Sequence, residues 1–161
     1  MATQSQKICR LIRMYIEEKG VEEYSMPEVV QYAVDRGLYK LPPPIGGIEQ
    51  LTKKFANAAA EEVRMDEVTG KPYRAHHARW DMQDGKQIPL WFDMDRVTRP
   101  TLQKYAFQRR QHLVSEVVQL TLSLDHWNRV HPAEEPVRIE PDFTDDVEWA
   151  KNAPEDLKKA S

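Results

Sequence analysis

The sequence is poor in the features that most often announce a function. Cys9 is its one cysteine, so no intramolecular disulfide can form, and thiolates cannot assemble a zinc knuckle or an iron–sulfur centre. No stretch approaches the roughly 18 uninterrupted apolar residues of a membrane span. The first twenty residues hold no apolar run long enough for a secretory signal, so a cytoplasmic protein with no membrane partner is expected. No HExxH, GxxxxGK, glycine-rich dinucleotide loop or GxSxG elbow occurs. His76 and His77 are adjacent and would point to opposite faces of a strand, while His112 and Glu116 offer a metal only two ligands. The expectation is a protein that is not an enzyme and carries no cofactor or metal. Cys9 stands beside an apolar face and reads as a buried, inert thiol.

What is present fits a small folded body with additions. The chain has 161 residues, 40% of them hydrophobic and 30% charged, with four Trp, six Tyr and four Phe. That is enough bulk for a core, and too short for a (β/α)8 barrel or a large doubly wound domain. The formal charge of −3 is unevenly placed. Residues 1–131 carry 19 Lys/Arg against 17 Asp/Glu, while residues 132–161 carry 4 against 9. The acidic balance therefore belongs to the last thirty residues, and the total does not exclude a nucleic-acid partner.

Periodicity predicts a first helix over residues 6–19, with Ile8, Leu11, Ile12, Tyr15 and Ile16 on one face and Gly20 as its stop. Ser25 and Glu28 have capping-box spacing for a second helix, Pro27 suits its first turn, and Val29, Val30, Ala33 and Val34 form its stripe. Gly37 is placed to end it in left-handed conformation, with Leu38 to pack back. The prolines and Gly46-Gly47 of residues 38–47 preclude a continuous helix. A third helix is expected from Ile48 to Arg64 or Met65, with Ile48, Leu51, Phe55, Ala58 and Glu62 at alternating three- and four-residue steps. Asp84-Gly85 then centres a hairpin with strands 73–81 and 86–94, and Pro89 marks the second as an edge or bulged strand. A long helix over 98–130, capped by Thr98, carries Leu102, Ala106, Leu113, Val117, Leu120, Leu124 and Trp127 at heptad-like spacing. His131-Pro132 ends it.

Three helices followed by a hairpin form a mainly α fold with one β-hairpin, an α+β class. The order resembles winged helix-turn-helix domains over residues 6–94. In such domains the third helix enters the DNA major groove and the hairpin is the wing. The resemblance implies a short strand at residues 22–25, and the segment 38–47 is longer than the usual turn. The expected organisation is a winged helix-like domain at 1–95, a long dimerisation helix at 96–131 and an acidic tail at 132–161.

Candidate DNA contacts are set by residue type. Gln50, Lys53, Lys54 and Asn57 form the polar face of the third helix. Asn and Gln pair bidentately with adenine, and Lys meets phosphate or guanine. Open amides at Gly46-Gly47 suit a phosphate, whereas Glu61 and Glu62 one turn later would repel one. Arg74, Arg79 and Lys86 on the hairpin, with Arg96 and Arg99 after it, are the candidate phosphate contacts. Of Trp91 and Phe92, one is expected in the core and the other over a helix or interface. Leu113, Val117, Leu120, Leu124 and Trp127 are the candidate homodimer seam. The functional expectation is a DNA-binding or transcription-regulatory homodimer on double-stranded DNA, its acidic tail competing for the basic face. The rival is a protein–protein scaffold on the same fold, docking a partner through Trp149 and its acidic neighbours.

Overall fold

The computed structural model describes residues 3–40 and 47–153. Within them the chain is mixed α+β. Helices α1 (Gln4–Lys19), α2 (Met26–Asp35) and α3 (Gly47–Glu61) precede strands β1 (Val63–Met65), β2 (Pro72–Arg74), β3 (His76–Gln83) and β4 (Lys86–Asp93). Helices α4 (Arg99–Val130) and α5 (Thr144–Asn152) complete the order. No helix among the described residues is long and apolar enough to cross a membrane. The prolines of 41–46, and with them Gly46, lie outside the described residues.

The helical core is built from the predicted stripes. Ile8, Ile12 and Ile16 of α1, Val29, Val30 and Ala33 of α2, and Leu51, Phe55 and Ala59 of α3 are buried together. Each large side chain contributes about 1.5–3 kcal/mol by leaving water. Thr3 and Gln6 form a reciprocal capping box at the start of α1, and Gly20 ends it at φ 62°. At α2, the Ser25 backbone N–H and hydroxyl both donate to Glu28, at 3.1 and 2.8 Å. Gly37 takes the expected left-handed φ of 64°, and the Leu38 and Tyr39 amides both donate to the Ala33 carbonyl. Leu38 does not pack back. It stays 43% exposed, and Tyr39 closes the helix end instead, edge-on to Phe55.

The third helix stops at Glu61, short of the expected Arg64 or Met65, because residues 63–65 pair as a strand with 72–74, and Asp66 organises the tight loop between those strands. Its carboxylate accepts the Val68 and Thr69 amides at 2.8 and 2.9 Å, and Gly70 at φ 66° completes the reversal. A side chain that satisfies its own neighbouring backbone competes with helix. Residues 63–65 then pair antiparallel with 72–74, a hairpin that periodicity did not announce. The strand expected over 73–81 is accordingly split, with Ala75 fully buried between its two parts.

The β3–β4 hairpin turns at Asp84 (φ 49°) and Gly85 (φ 73°), the two positive φ angles of a type I′ turn. Pro89 faces Trp80 across the ladder. The Trp80 backbone bonds to the Gln108 side chain rather than to β4. In an antiparallel pair both members of such a position point outward, so the missing Pro89 N–H lies on the outer edge and costs no ladder bond. Two residues on, that outer edge is used: Trp91 and Tyr24 exchange backbone hydrogen bonds of 2.8 and 3.0 Å. The strand expected at 22–25 is thus a single bridge at Tyr24.

The chain divides into two compact units, residues 1–108 and 109–161. In the first, Tyr105 of α4 contacts Phe92 edge-on, and its hydroxyl lies 2.8 Å from His77 Nδ1. Thr98 does not cap α4 with its side chain. Its hydroxyl and amide both donate to Glu22, at 2.5 and 2.7 Å. In the second unit, Asn128 exchanges side-chain hydrogen bonds with the Val137 backbone at 2.8 and 2.9 Å.

Candidate functional site

The polar face of α3 is exposed as the helical period requires. Leu51, Phe55 and Ala58 point into the core, leaving Gln50, Lys53, Lys54 and Asn57 on the surface. Lys53 Nζ lies 3.9 Å from Glu49, both strongly exposed, a pair worth little. The Lys54 ammonium stands 5.7 Å from the centre of the Tyr39 ring, at the outer range of a cation–π contact. Neither lysine is withdrawn from solvent by these contacts.

The other candidates scatter. Arg74 is exposed but belongs to β2, on the added hairpin and not on β3. Lys86 is exposed at the β3–β4 turn, and Arg99 at the first position of α4. Arg96 donates to Glu17 at 2.8 Å. Arg79 is withdrawn from any exposed basic face. Its side chain is 9% exposed, it forks onto both carboxylate oxygens of Glu23, and it lies 3.2 Å from Asp81. A guanidinium clamped between two carboxylates inside the fold is not free to meet phosphate. Trp91 and Phe92 alternate as a strand demands. Phe92 is fully buried, and Trp91 packs on the helical core.

Glu62 also departs from expectation. It lies just past the end of α3 and turns inward, so it does not stand beside the lysines as a repulsive charge. Its Oε2 is 2.7 Å from His76 Nε2, and its Oε1 accepts from Arg13. His76 Nδ1 is 3.0 Å from the buried Tyr24 hydroxyl. A neutral imidazole that donates from Nε2 to Glu62 and accepts at Nδ1 from Tyr24 satisfies all three groups. Burial pushes the His76 pKa below its ordinary value, against the pull of Glu62. Burial by itself would raise Glu62, but the His76 hydrogen bond and the Arg13 charge outweigh it and hold the carboxyl low.

Arg64, on β1, continues this cluster. Its guanidinium donates to both oxygens of Asp93 at 2.9 Å each, and to Asp95 at 2.5 Å. Burial alone would raise Asp93, yet the bonds from Arg64 hold it below the usual range. Cys9 borders the cluster. Its thiol donates to the Ala58 carbonyl at 3.4 Å, and burial together with nearby Glu62 pushes it up to about 12. Such a thiol stays protonated and is no nucleophile at neutral pH. Among the described residues no buried side-chain nitrogen or oxygen lacks a partner. The cluster therefore clamps α1, β1, β3 and β4 together. Nothing in the sequence pattern announced it, because its bonded partners are 14 to 52 positions apart and the adjacent pairs Glu61-Glu62 and His76-His77 do not say which member turns inward.

In the second unit the candidate seam is open. Leu113, Leu120 and Trp127 are 57, 48 and 36% exposed, while Val117 and Leu124 are half-buried. His112 and Glu116 are exposed and 3.8 Å apart. Compared with known protein families, curated proteins and solved structures, the chain finds no match. The functional reading rests on geometry.

Proposed function

We propose that the chain is a non-enzymatic DNA-binding protein of winged helix type that acts as a homodimer. The observation that carries this reading is the Tyr24–Trp91 bridge. It pairs the residue between α1 and α2 with β4 of the hairpin, which supports reading the chain as a winged domain with an extra hairpin inserted after α3. In that frame α3 is the recognition helix. Gln50 and Asn57 read base edges, Lys53 and Lys54 meet phosphate, and Lys86, Arg99 and Arg74 supply further phosphate contacts. The open seam Leu113, Val117, Leu120, Leu124 and Trp127 joins two copies. Its support is the repeat itself, which a second copy matches by symmetry.

Fluorescence anisotropy against a random-sequence duplex at two salt concentrations tests the reading. Binding that weakens steeply with salt is expected, and replacing Lys53 and Lys54 with Ala should lower the salt slope by about 2. No binding near 50 mM salt with protein at tens of micromolar (about 10⁻⁵ M) overturns it, since nonspecific binders reach roughly 10⁻⁴–10⁻⁶ M. A second reading, a protein scaffold without DNA, is favoured by one observation: Val137, Phe143, Val147 and Trp149 are all 44–57% exposed among acidic neighbours. Deleting residues 132–161 separates the two. Tail competition predicts tighter DNA binding on deletion, while a scaffold loses its partner and shows no DNA binding either way.

A further inference from the structure

A cavity of about 280 Å³ opens where the start of α2, the middle of α3 and β4 meet. Its walls are Met26, Pro27, Ala56, Ile88, Pro89 and the Trp91 ring, with the Ser25 and Thr52 hydroxyls as the polar groups among the described lining residues. No charged side chain lines it among those residues, so an ionised ligand would lose its hydration without compensation. The volume is on the scale of a fused two-ring molecule; an apolar cavity of about 150 Å³ takes benzene.

The two hydroxyls decide more than polarity. Ser25 Oγ donates its proton to Glu28 at 2.8 Å, and Thr52 Oγ1 donates to the Ile48 carbonyl at 2.8 Å. Each can therefore only accept from anything in the cavity. A ligand that brings a donor gains a hydrogen bond there. One that brings only acceptors leaves them facing lone pairs.

We propose that this cavity is a binding site for a neutral, planar aromatic molecule carrying one N–H or O–H donor, of the indole or phenol class. The aromatic face lies against Trp91 and the two prolines, and the donor points to Thr52 or Ser25. The site uses none of the DNA-contact residues, so it stands or falls separately from the DNA reading. A ligand seated there nevertheless touches α3 and β4 at once.

Isothermal titration calorimetry of the full chain with indole, indene and indole-3-carboxylate tests it. Indene keeps the shape and lacks the N–H; the carboxylate adds a charge. Saturable binding of one indole per chain is expected, about tenfold tighter than indene, with no binding of the carboxylate. Ala56→Leu fills the cavity and should abolish indole binding while circular dichroism is unchanged. Should that variant fail to fold, Ser25→Ala with Thr52→Val decides, and is expected to bind indole and indene alike. No indole heat up to its solubility, equal affinity of the wild type for indole and indene, or indole binding that survives Ala56→Leu overturns the proposal.

Discussion

In residues 3–108, Ile8, Ile12, Phe55 and Phe92 are at most 1% exposed, whereas in residues 109–153 Leu113, Leu120 and Leu122 remain 48–57% exposed. No described residue from Arg109 to Ala153 is fully buried, and the most covered are half-buried. The polar groups differ in the same sense. The first region clamps itself with Arg64–Asp93, His76–Glu62 and Arg79–Glu23. The second has exposed short-range pairs such as Lys151–Glu148, three residues apart. One region carries a core of its own. In the other, the helix is satisfied along its backbone but its apolar side chains are not, since helical hydrogen bonds form locally and burial needs a partner surface.

The largest contrast should come from truncating one apolar side chain in each. Phe55→Ala should cost about 3–5 kcal/mol of unfolding free energy, measured by urea titration. Leu120→Ala should change it by less than about 0.5 kcal/mol at dilutions where the chain is monomeric. A comparable loss from both would show that the second region buries its leucines within the monomer.

Asp93→Ala comes next. It leaves Arg64 without its forked partner inside the fold, and about 3 kcal/mol should be lost, visible as a lower denaturation midpoint. A change under 1 kcal/mol (about the size of one ordinary hydrogen bond) would reduce the clamp to a surface contact.

Acid should separate the clamp into two windows. His76 is held neutral by burial, so its contribution is complete above about pH 6.5 and is lost as pH falls from there through its depressed folded value. Glu62 and Asp93 are held low, so their contribution is present above about pH 4 and is lost as pH falls through their folded values. Melting temperature against pH should fall in both windows, and His76→Gln should flatten only the upper one. A variant profile unchanged near pH 6.5 would remove His76 from the account.

Gln108→Ala should be smaller still. It removes two exposed bonds to the Trp80 backbone, about 1 kcal/mol in total, with faster amide exchange at Trp80. Smallest in monomer stability, yet decisive for the second region, is Leu113→Glu with Leu120→Glu. If the seam joins two copies as proposed, sedimentation should show a wild-type dimer and a monomeric variant, with the melting curve of the first region unchanged.

The elements legible in the sequence are those fixed by neighbours. The stripe Ile8, Ile12, Ile16, the Ser25–Glu28 spacing, Gly20, Gly37 and Asp84-Gly85 each act within a few residues, and each is found where its local chemistry puts it. The early stop of α3 was not legible, because it comes with the pairing of 63–65 to 72–74, which a run at helical spacing hid. Among the candidate contacts, Gln50, Lys53, Lys54 and Asn57 were legible because helix geometry assigns a face. Arg79 was not, because Glu23 is 56 positions away. Periodicity and turn chemistry by themselves determined α1, α2, the body of α3, α4 and the β3–β4 hairpin, and composition the uneven charge. The tertiary structure alone decided which Arg is buried, which of Glu61 and Glu62 turns inward, and where the cavity beside Trp91 opens, because each depends on contacts between segments that no local pattern encodes.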